Sequence, residues 1–323
     1  MIENEGRLLE ALGKIAEIAR AAAGNGQRSG QEDYDTPIRA PQDFELGCTL
    51  RALPARLLVS AAQTATKINP VNAPLLGSPA GSAADFHIDE PQRIAVLTSK
   101  YWGPTPRTLT VSFMENTPAD LRARIVTHMN AWTNTACISF VETQGVGQVR
   151  ISRGPGGYYS YLGTDILHIP RNQQTMNLQG FTMNTPESEY RRVVRHETGH
   201  TLGFPHEHMR KALVARIDPE KAYEYFARTQ GWDKQMVDQQ VLTPLDERSL
   251  MATPADQTSI MCYQLPGSIT RDGEPILGGV DIDQTDYAFA GQIYPKQGHE
   301  PAHELRPGSV ADWDESEDVD VKV

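Results

Sequence analysis

The amino-acid sequence predicts an α+β domain, in which a twisted sheet packs against helices and is followed by an irregular C-terminal part. Apolar residues alternate over residues 109–113, 138–140 and 149–151, a pattern typical of half-buried strands. A glycine-rich turn then leads into residues 158–162, which we interpret as an edge strand. Apolar residues recur at helical spacing around these segments. This mixture of strands and helices is typical of the α+β class.

Two threonine–proline pairs predict the beginnings of helices. Threonine is a good N-cap and proline fits the first helical position, so helices should begin at Thr117-Pro118 and at Thr185-Pro186. The second helix should stop at Gly203, because glycine readily takes the left-handed conformation that ends a helix.

Composition along the chain predicts three regions. Residues 1–90 form an N-terminal extension, with helices expected over residues 3–23 and 51–67 and a polar linker between them. Residues 91–296 form the compact domain. The polar and acidic residues 297–323 form a tail that we expect to be disordered.

Charge and composition argue against several partners and compartments. The 323 residues carry a net charge of −11 and contain no Lys/Arg-rich run, so we expect no nucleic-acid partner. No apolar stretch reaches the roughly 18 residues that span a bilayer, so we expect no membrane partner. The acidic N-terminus lacks the basic start and apolar core of a Sec signal peptide. The sequence therefore predicts a protein that is cytoplasmic or exported by a non-Sec route.

A histidine-rich segment carries the candidate chemistry. His196 and His200 lie one helical turn apart on the same face, so both imidazole rings can reach one metal ion. Glu197 follows the first histidine and can lean over the metal without binding it. Gly203 allows the sharp turn out of the helix that brings His206 to the same ion as a third ligand.

Three histidine ligands leave a fourth position for water, which is typical of a catalytic zinc site. Zinc lowers the pKa of such a water to about 7, and Glu197 can accept its proton and deliver it to the leaving amine. The sequence therefore predicts one catalytic Zn²⁺ and hydrolysis by attack of a zinc-bound water. Each histidine alone would be interpreted as an ordinary surface or core residue, whereas the full spacing behind a helix start favours the metal.

The segment HETGHTLGFPHE at residues 196–207 matches the extended zinc motif of the metzincin clan of peptidases. Within that clan the chain resembles the astacin family most, because Glu207 follows the third histidine and Arg210 comes three residues later. Residues 259–263 (SIMCY) resemble the Met-turn of the family. The resemblance implies a metzincin-type zincin fold with a twisted, mostly parallel sheet, an antiparallel edge strand, an active-site helix and an irregular C-terminal subdomain.

The resemblance also implies roles for individual residues. Met261 would form the hydrophobic base beneath the metal. Tyr263 would bind zinc in the resting enzyme and swing away to stabilise the transition state, and a phenol near zinc can indeed donate to a developing oxyanion. Glu207 would contact the mature N-terminus after processing of the chain.

The resemblance covers about residues 95–296. Residues 131–140 are similar to the helix-to-strand passage of the family, residues 157–163 to the edge strand that lines its cleft, and residues 286–294 to its closing helix. An edge strand beside the zinc suits a protein or peptide substrate, because an extended peptide can add to it through main-chain hydrogen bonds. The alternative is a plain sheet edge.

The cysteines depart from the family pattern. Astacin domains usually carry paired disulfides, whereas Cys137 occupies a family cysteine position without a partner near the end of the domain. The three cysteines, Cys48, Cys137 and Cys262, cannot all pair within one chain, and they argue against a disulfide-built secreted domain.

One of these cysteines is a candidate latch. Residues 44–48 (FELGC) resemble the Phe-x-Gly-Asp motif with which family pro-segments block the zinc, although the segment is one residue longer and ends in cysteine. Because thiolate is a strong zinc ligand, we hypothesise that Cys48 caps the metal and keeps the chain latent, so that the extension is a pro-segment of a zymogen. The alternative is an incidental or buried cysteine.

The sequence thus predicts a zinc-dependent endopeptidase that hydrolyses peptide bonds in proteins. One alternative is a catalytically inactive, zinc-stabilised protein-binding module, against which Glu197 and Tyr263 are both present. Another is a zinc hydrolase that acts on a non-peptide amide. Family members often prefer acidic residues just after the scissile bond, set by a basic residue of the cleft, for which Arg153 and Arg171 are candidates.

Overall fold

A computed structural model of the protein describes residues 48–73, 99–245 and 255–296. The predicted helix over residues 3–23 and the predicted disordered tail lie outside the described residues. The limits of the three predicted regions therefore stay predictions.

The part of the extension that is described contains one helix. The helix predicted over residues 51–67 is present as α1 (Ala55–Ile68). It begins at Ala55 because Pro54, in an extended conformation, takes the N-cap position, and the residue before a proline is disfavoured in a helix. A short 3₁₀-helix (Pro70–Asn72) follows it.

The sheet has five strands. They are β1 (Arg107–Phe113), β2 (Ile138–Glu142), β3 (Val149–Ser152), β4 (Tyr158–Ser160) and β5 (Met176–Leu178). Their order across the sheet is β2-β1-β3-β5-β4. The first four strands in this order form three parallel pairs, and β4 runs antiparallel to β5 at one edge. The predicted twisted, mostly parallel sheet with an antiparallel edge strand is confirmed.

The main core lies between this sheet and the helices that cover it. In β1, Leu109 and Val111 point inward and are fully buried. Helix α2 (Ala119–Met129) buries Leu121 and Ile125 against the sheet, since apolar residues recur on one face of it. The same helix contacts the helical segment that carries the histidines, so the core fixes that segment relative to the sheet.

The predicted threonine N-caps are wrong. Helix α2 begins at Ala119, and Pro118 takes the N-cap position with an extended ψ of 145°. The Thr117 hydroxyl instead donates to the carbonyl oxygen of Glu115 at 3.1 Å. At the second pair, Pro186 is again the N-cap and its helix begins at Glu187. Both helices therefore begin one residue later than predicted.

The second half of the domain is mainly helical. Its helices are α3 (Glu187–Glu189), α4 (Arg195–Leu202), α5 (Lys211–Val214), α6 (Pro219–Gln230), α7 (Lys234–Val237) and α8 (Gln284–Ile293). Two π-helical turns, Tyr190–Val194 and Asp238–Leu242, and three 3₁₀-helices, Gly163–His168, Glu207–Met209 and Gly267–Ile269, complete the helical segments used below.

The C-terminal part has a small core of its own. The buried residues of this core are Leu213, Ile217, Ala222, Phe226, Val237, Val241, Cys262, Leu265, Ile269 and Ile276. The stretch after α6 is less irregular than predicted, because α7 and the second π-helical turn follow it. Across the described ranges, none of the helices is both long enough and apolar enough to cross a membrane.

Candidate metal centre

The helix that carries the candidate ligands ends at a left-handed glycine. The π-helical turn Tyr190–Val194 runs directly into α4, and π-helical turns are frequent at functional sites. Helix α4 ends because Gly203 has a φ of 100°, where any other residue is strained, and a Cβ there would lie 3.1 Å from the carbonyl oxygen of Lys100. The chain therefore turns sharply at the end of the helix, and His206 lies beside the two histidines of α4.

The three predicted ligands meet at their Nε2 atoms. The Nε2 atom of His206 lies 3.2 Å from that of His196 and 3.1 Å from that of His200. Around a tetrahedral zinc ion with Zn–N bonds of about 2.1 Å, neighbouring nitrogen atoms are about 3.4 Å apart. The geometry of the three rings therefore fits such an ion.

Backbone carbonyls orient two of the rings. His196 donates from Nδ1 to the carbonyl oxygen of Ile260 at 2.6 Å, and His200 donates from Nδ1 to that of Phe204 at 2.7 Å. A proton on Nδ1 leaves the lone pair of Nε2 for a metal. Burial lowers the pKa of His196 to about 4 and lowers the pKa values of His200 and His206 well below their ordinary range, so the rings are neutral, as metal binding requires.

A fourth side chain joins the three histidines. Cys48 is buried, and its Sγ atom lies 3.4 Å from Nε2 of His200. The ligand atoms of Cys48, His196, His200 and His206 all lie within 4.8 Å of one another. Burial raises the pKa of the Cys48 thiol, and the nearby carboxylate of Glu197 raises it further. A thiolate is therefore stable here only beside a cation, which a metal in the cluster would supply.

Glu197 lies beside the cluster with its side chain fully buried. By distance and angle, neither carboxylate oxygen makes a hydrogen bond with a residue that the structure describes, although the Cys48 thiol is close enough to affect the pKa of Glu197. Burial raises the pKa of Glu197 to about 8, while the Cys48 thiol and Arg192 act in the opposite direction. A buried acceptor without a partner is costly, so the carboxylate is placed to receive a proton donor from a bound molecule.

Met261 packs directly against α4, the helix that carries His196 and His200, which is called the metal helix below. A Cβ at Gly199 would overlap the Met261 sulfur atom, so only glycine fits at this point of α4. The Met261 carbonyl oxygen accepts a hydrogen bond from the Glu207 N–H at 2.8 Å, which ties the turn to the end of the histidine motif. Sequence reasoning misses Gly199. The signal that could have identified Gly199 is its place inside a short helix, because glycine there destabilises the helix by about 1 kcal/mol relative to alanine.

Glu207 lies in a polar cluster beside the motif. Its Oε1 atom is 3.2 Å from Nη1 of Arg210 and accepts a hydrogen bond from the Asp256 N–H at 3.2 Å. Burial raises the pKa of Glu207 to about 7. The predicted contact with a mature N-terminus concerns a processed chain and stays a prediction.

Tyr263 contacts the last ligand and one further histidine. Its ring centroid lies 6.2 Å from that of His206 and 5.5 Å from that of His208. His208 is buried, and its Nε2 atom donates to the carbonyl oxygen of Gln240 at 2.9 Å. Sequence reasoning misses both His208 and Gln240, and the only local signal is that His208 comes two residues after His206.

A cavity of about 290 Å³ opens beside the cluster, and both Glu197 and Tyr263 line it. The basic residue in its wall is Arg192, whose guanidinium makes two hydrogen bonds to the Glu189 carboxylate, at 3.0 and 2.9 Å. Arg192 lies one helical turn before His196, a spacing that could have identified it.

The two arginines predicted for the cleft are not in the wall of this cavity. Arg153 instead holds a loop, because its Nη1 atom donates to the carbonyl oxygen of Phe181 at 2.9 Å. Arg171 is exposed. The specificity role suggested for Arg153 or Arg171 stays a prediction.

The edge strand beside the cluster is paired with the N-terminal segment. The Thr49 N–H donates to the carbonyl oxygen of Tyr158 at 3.1 Å. Parallel bridges join Cys48 to Tyr158 and Arg51 to Tyr161. An extended segment therefore lies along β4 and brings Cys48 to the histidines.

A metal helix that ends at a left-handed glycine, with a methionine turn packed beneath it, defines the metzincin class of zinc metallopeptidases. Within this class, the sequence model described as Astacin, a peptidase family, matches residues 96–271, more than half of the chain. The chain belongs to the astacin family, a family of zinc-dependent metalloendopeptidases, and the predicted family is confirmed.

Two relatives extend this comparison. The chain is 33% identical over 100 residues to zinc metalloproteinase nas-27 of Caenorhabditis elegans, a match that covers 31% of this chain and 21% of that protein. The chain thus spans about a fifth of the length of that relative. It is similar to the structure of myroilysin with a TM-score of 0.57 and 31% identity, over 61% of this chain and 96% of that one.

Proposed function

We propose that the protein is a zinc-dependent endopeptidase in which His196, His200 and His206 hold one zinc ion. The observation that carries the proposal is the convergence of three neutral imidazole rings beside a buried carboxylate without a partner, with the Nε2 atom of His206 3.1 to 3.2 Å from the other two. A zinc ion held there would act as a Lewis acid, lowering the pKa of a water to about 7 and polarising the scissile carbonyl.

Glu197 is the general base of this proposal. Its buried carboxylate accepts the proton of the attacking water, and burial, which raises its pKa, makes this acceptance favourable. The protonated Glu197 then donates the proton to the amine that leaves when the peptide bond breaks. The proton is thus carried from water to product, and the carboxylate is restored.

Tyr263 is the proposed electrophilic partner. Its ring lies against those of His206 and His208 at the wall of the cavity, so its hydroxyl group can approach the reacting carbonyl from the side of the C-terminal subdomain. A phenol that donates a hydrogen bond to the developing oxyanion lowers the barrier of the attack. Met261 and Gly203 support the site through packing and through the turn.

Protein or peptide is the proposed substrate, because β4 offers a sheet edge next to the histidines. The segment around Cys48 already pairs with this edge in an extended conformation. A substrate strand in the same place would carry its scissile carbonyl past the cluster.

Cys48 is proposed as a latch that keeps the chain latent. Its Sγ atom lies within 4.8 Å of the ligand atoms of the three histidines, so a thiolate there would take the ligand position of the attacking water. The alternative of an incidental cysteine is disfavoured by its contact of 3.4 Å with His200 Nε2 and by the strand pairing that delivers it there.

An inactive, zinc-stabilised binding module is the second candidate. The match to a peptidase family does not favour it, although three histidines and a thiolate would make a closed site of the structural kind. The two candidates differ in what happens after the extension is displaced, when an enzyme gains turnover and a binding module does not.

The test is casein hydrolysis by the zinc-loaded chain, before and after displacement of its N-terminal extension by limited proteolysis. We expect turnover that phenanthroline abolishes and that added zinc restores. Zinc bound in stoichiometric amount, without turnover in either form, would contradict the enzyme and favour the binding module.

A further inference from the structure

Residues 48–51, called the N-terminal segment here, are held from two sides. Strand β4 lies on one side, and the side chain of Gln240 lies on the other. In an extended chain, the main-chain groups of successive residues point in opposite directions. The Thr49 N–H donates to Tyr158 of β4, so the main-chain groups of Leu50 point away from the sheet. They meet the side chain of Gln240, which comes from the second π-helical turn.

The Gln240 amide binds both main-chain groups of Leu50. Its Oε1 atom accepts a hydrogen bond from the Leu50 N–H at 2.9 Å, and its Nε2 atom donates to the Leu50 carbonyl oxygen at 3.1 Å. A neighbouring strand would make the same pair of bonds. Gln240 therefore acts as a one-residue strand on the side of the segment opposite to β4.

Recognition at this point does not depend on the leucine side chain. Within the described ranges, the hydrophobic clusters beside the segment include Leu53 but not Leu50. The contacts that hold Leu50 are bonds to its main-chain N–H and C=O, which every residue except proline carries. An extended chain with any residue other than proline at this position can therefore take the place of Leu50.

Gln240 is fixed to the metal centre. Its carbonyl oxygen accepts a hydrogen bond from His208 Nε2 at 2.9 Å, and the His208 ring lies 5.0 Å from that of His206. The residue is only 8% exposed. If the extension leaves, the buried amide loses two hydrogen bonds, and an unpaired buried amide is costly. A peptide in the cleft would restore both bonds.

We propose that Gln240 is a positioning residue that binds the main chain of the peptide substrate, at the residue two positions from the one beside the metal. The spacing follows from Cys48, which lies in the ligand cluster, and Leu50, which Gln240 holds. β4 and Gln240 then bind opposite sides of the same extended substrate, independently of its side chains at that residue. This inference rests on the proposed peptidase function.

The experiment uses the zinc-loaded chain with the Cys48→Ala substitution as parent, after displacement of its extension by limited proteolysis, because Leu50 otherwise occupies the Gln240 amide. Gln240→Leu is added to it, with Gln239→Leu as the matched control, because Gln239 is the exposed neighbour in the same turn. Turnover is measured on one quenched fluorescent peptide and on versions in which an ester replaces a single peptide bond. The ester oxygen cannot donate the hydrogen bond that the glutamine oxygen accepts.

We expect Gln240→Leu to raise KM about tenfold, the effect of losing two net hydrogen bonds, with kcat nearly unchanged. One ester peptide should bind about tenfold more weakly to the parent and show no such loss in Gln240→Leu. A Gln240→Glu variant keeps the acceptor and should retain the sensitivity to that ester. Thermal unfolding of each variant checks that the fold is intact.

Equal kinetics of Gln240→Leu and Gln239→Leu would overturn the proposal, as would an ester penalty that persists in Gln240→Leu. If the parent cleaves neither casein nor the peptide, the peptidase function fails. In that case the same peptides are titrated by fluorescence anisotropy, and the pattern of dissociation constants decides on Gln240 by the same criteria.

Discussion

His196 and Ile260 are joined by a hydrogen bond across 64 residues of chain, from Nδ1 of the ring to the carbonyl oxygen at 2.6 Å. The Ile260 N–H donates in turn to the Asp286 carboxylate at 2.8 Å, and the Ser259 hydroxyl donates to the same group at 2.6 Å. A carboxylate of α8 thus fixes the methionine turn, and the turn fixes the ring of a proposed zinc ligand.

We expect Asp286→Asn to weaken zinc binding about tenfold, a size typical of changes behind a metal ligand. The asparagine side chain keeps the shape but replaces one acceptor oxygen by a donor, so one of the bonds to Ser259 or Ile260 is lost. Zinc affinity is measured by competition with a chromophoric chelator. Asp283→Asn is the control, because Asp283 caps α8 and asparagine is an equally good N-cap. An equal loss of zinc affinity in both variants would contradict the role of Asp286 in fixing His196 through Ile260.

Gly203→Ala should lower the free energy of unfolding by about 1–3 kcal/mol and weaken zinc binding. Alanine is strained at a φ of 100°, and its Cβ would press on the carbonyl oxygen of Lys100. Gly231→Ala is the matched control, since Gly231 ends α6 with a positive φ but a Cβ there meets nothing within 4 Å. Urea unfolding and zinc titration of both variants should show a loss of zinc affinity only for Gly203→Ala.

Cys48→Ala should raise the casein-hydrolysing activity of the full-length chain by at least about tenfold, because thiolate no longer fills the fourth ligand position. Cys137→Ala is the control, as Cys137 is a free cysteine remote from the metal cluster. Initial rates are compared at equal zinc content. An unchanged rate of casein hydrolysis by full-length Cys48→Ala would contradict the latch hypothesis. It would leave the endopeptidase proposal intact.

Asp165 should make the fold less stable as pH rises from about 4 to about 6. Burial raises the pKa of Asp165 to about 6 in the folded chain, although Lys100 Nζ lies 3.5 Å away. The unfolded chain, with an ordinary aspartate pKa of about 3.9, therefore loses this proton first, and stability falls across that window by about 2–3 kcal/mol.

Asp165→Asn should flatten this pH dependence, because an amide does not ionise. Urea unfolding of the metal-free chain across the window measures the slope, with Glu224→Gln as a control at an exposed acid of α6. A slope that is the same in Asp165→Asn and in the parent chain would show that Asp165 does not cause it.

Much of the fold was predictable because the signals are local. Alternation of apolar residues identified β1, β2 and β3, and the glycine at position 203 identified the end of the metal helix. The pairing of strands was not local information, and the mostly parallel order came from the family resemblance. The threonine caps failed because the prolines beside them took the cap position in extended conformations.

The candidate site divides in the same way. His196, Glu197 and His200 are placed by one helix, so spacing alone brings them together. Gly199, Arg192 and Gln240 owe their positions to contacts with distant parts of the chain, respectively the Met261 sulfur, the cavity wall and Leu50. Gly199 and Arg192 do have local signals, a glycine inside a helix and a place one helical turn before His196, but neither signal reveals the distant contact that gives the residue its role.

The most direct measurement compares Glu197→Gln with the parent chain, both zinc-loaded and freed of their extension by the same limited proteolysis. Zinc content and casein hydrolysis are determined on the same samples, with Glu224→Gln, an exposed acid outside the cavity wall, as control. We predict full zinc content in all three and a loss of at least about a hundredfold in rate for Glu197→Gln alone. Zinc-dependent hydrolysis at the parental rate by Glu197→Gln would contradict the assignment of Glu197 as the base.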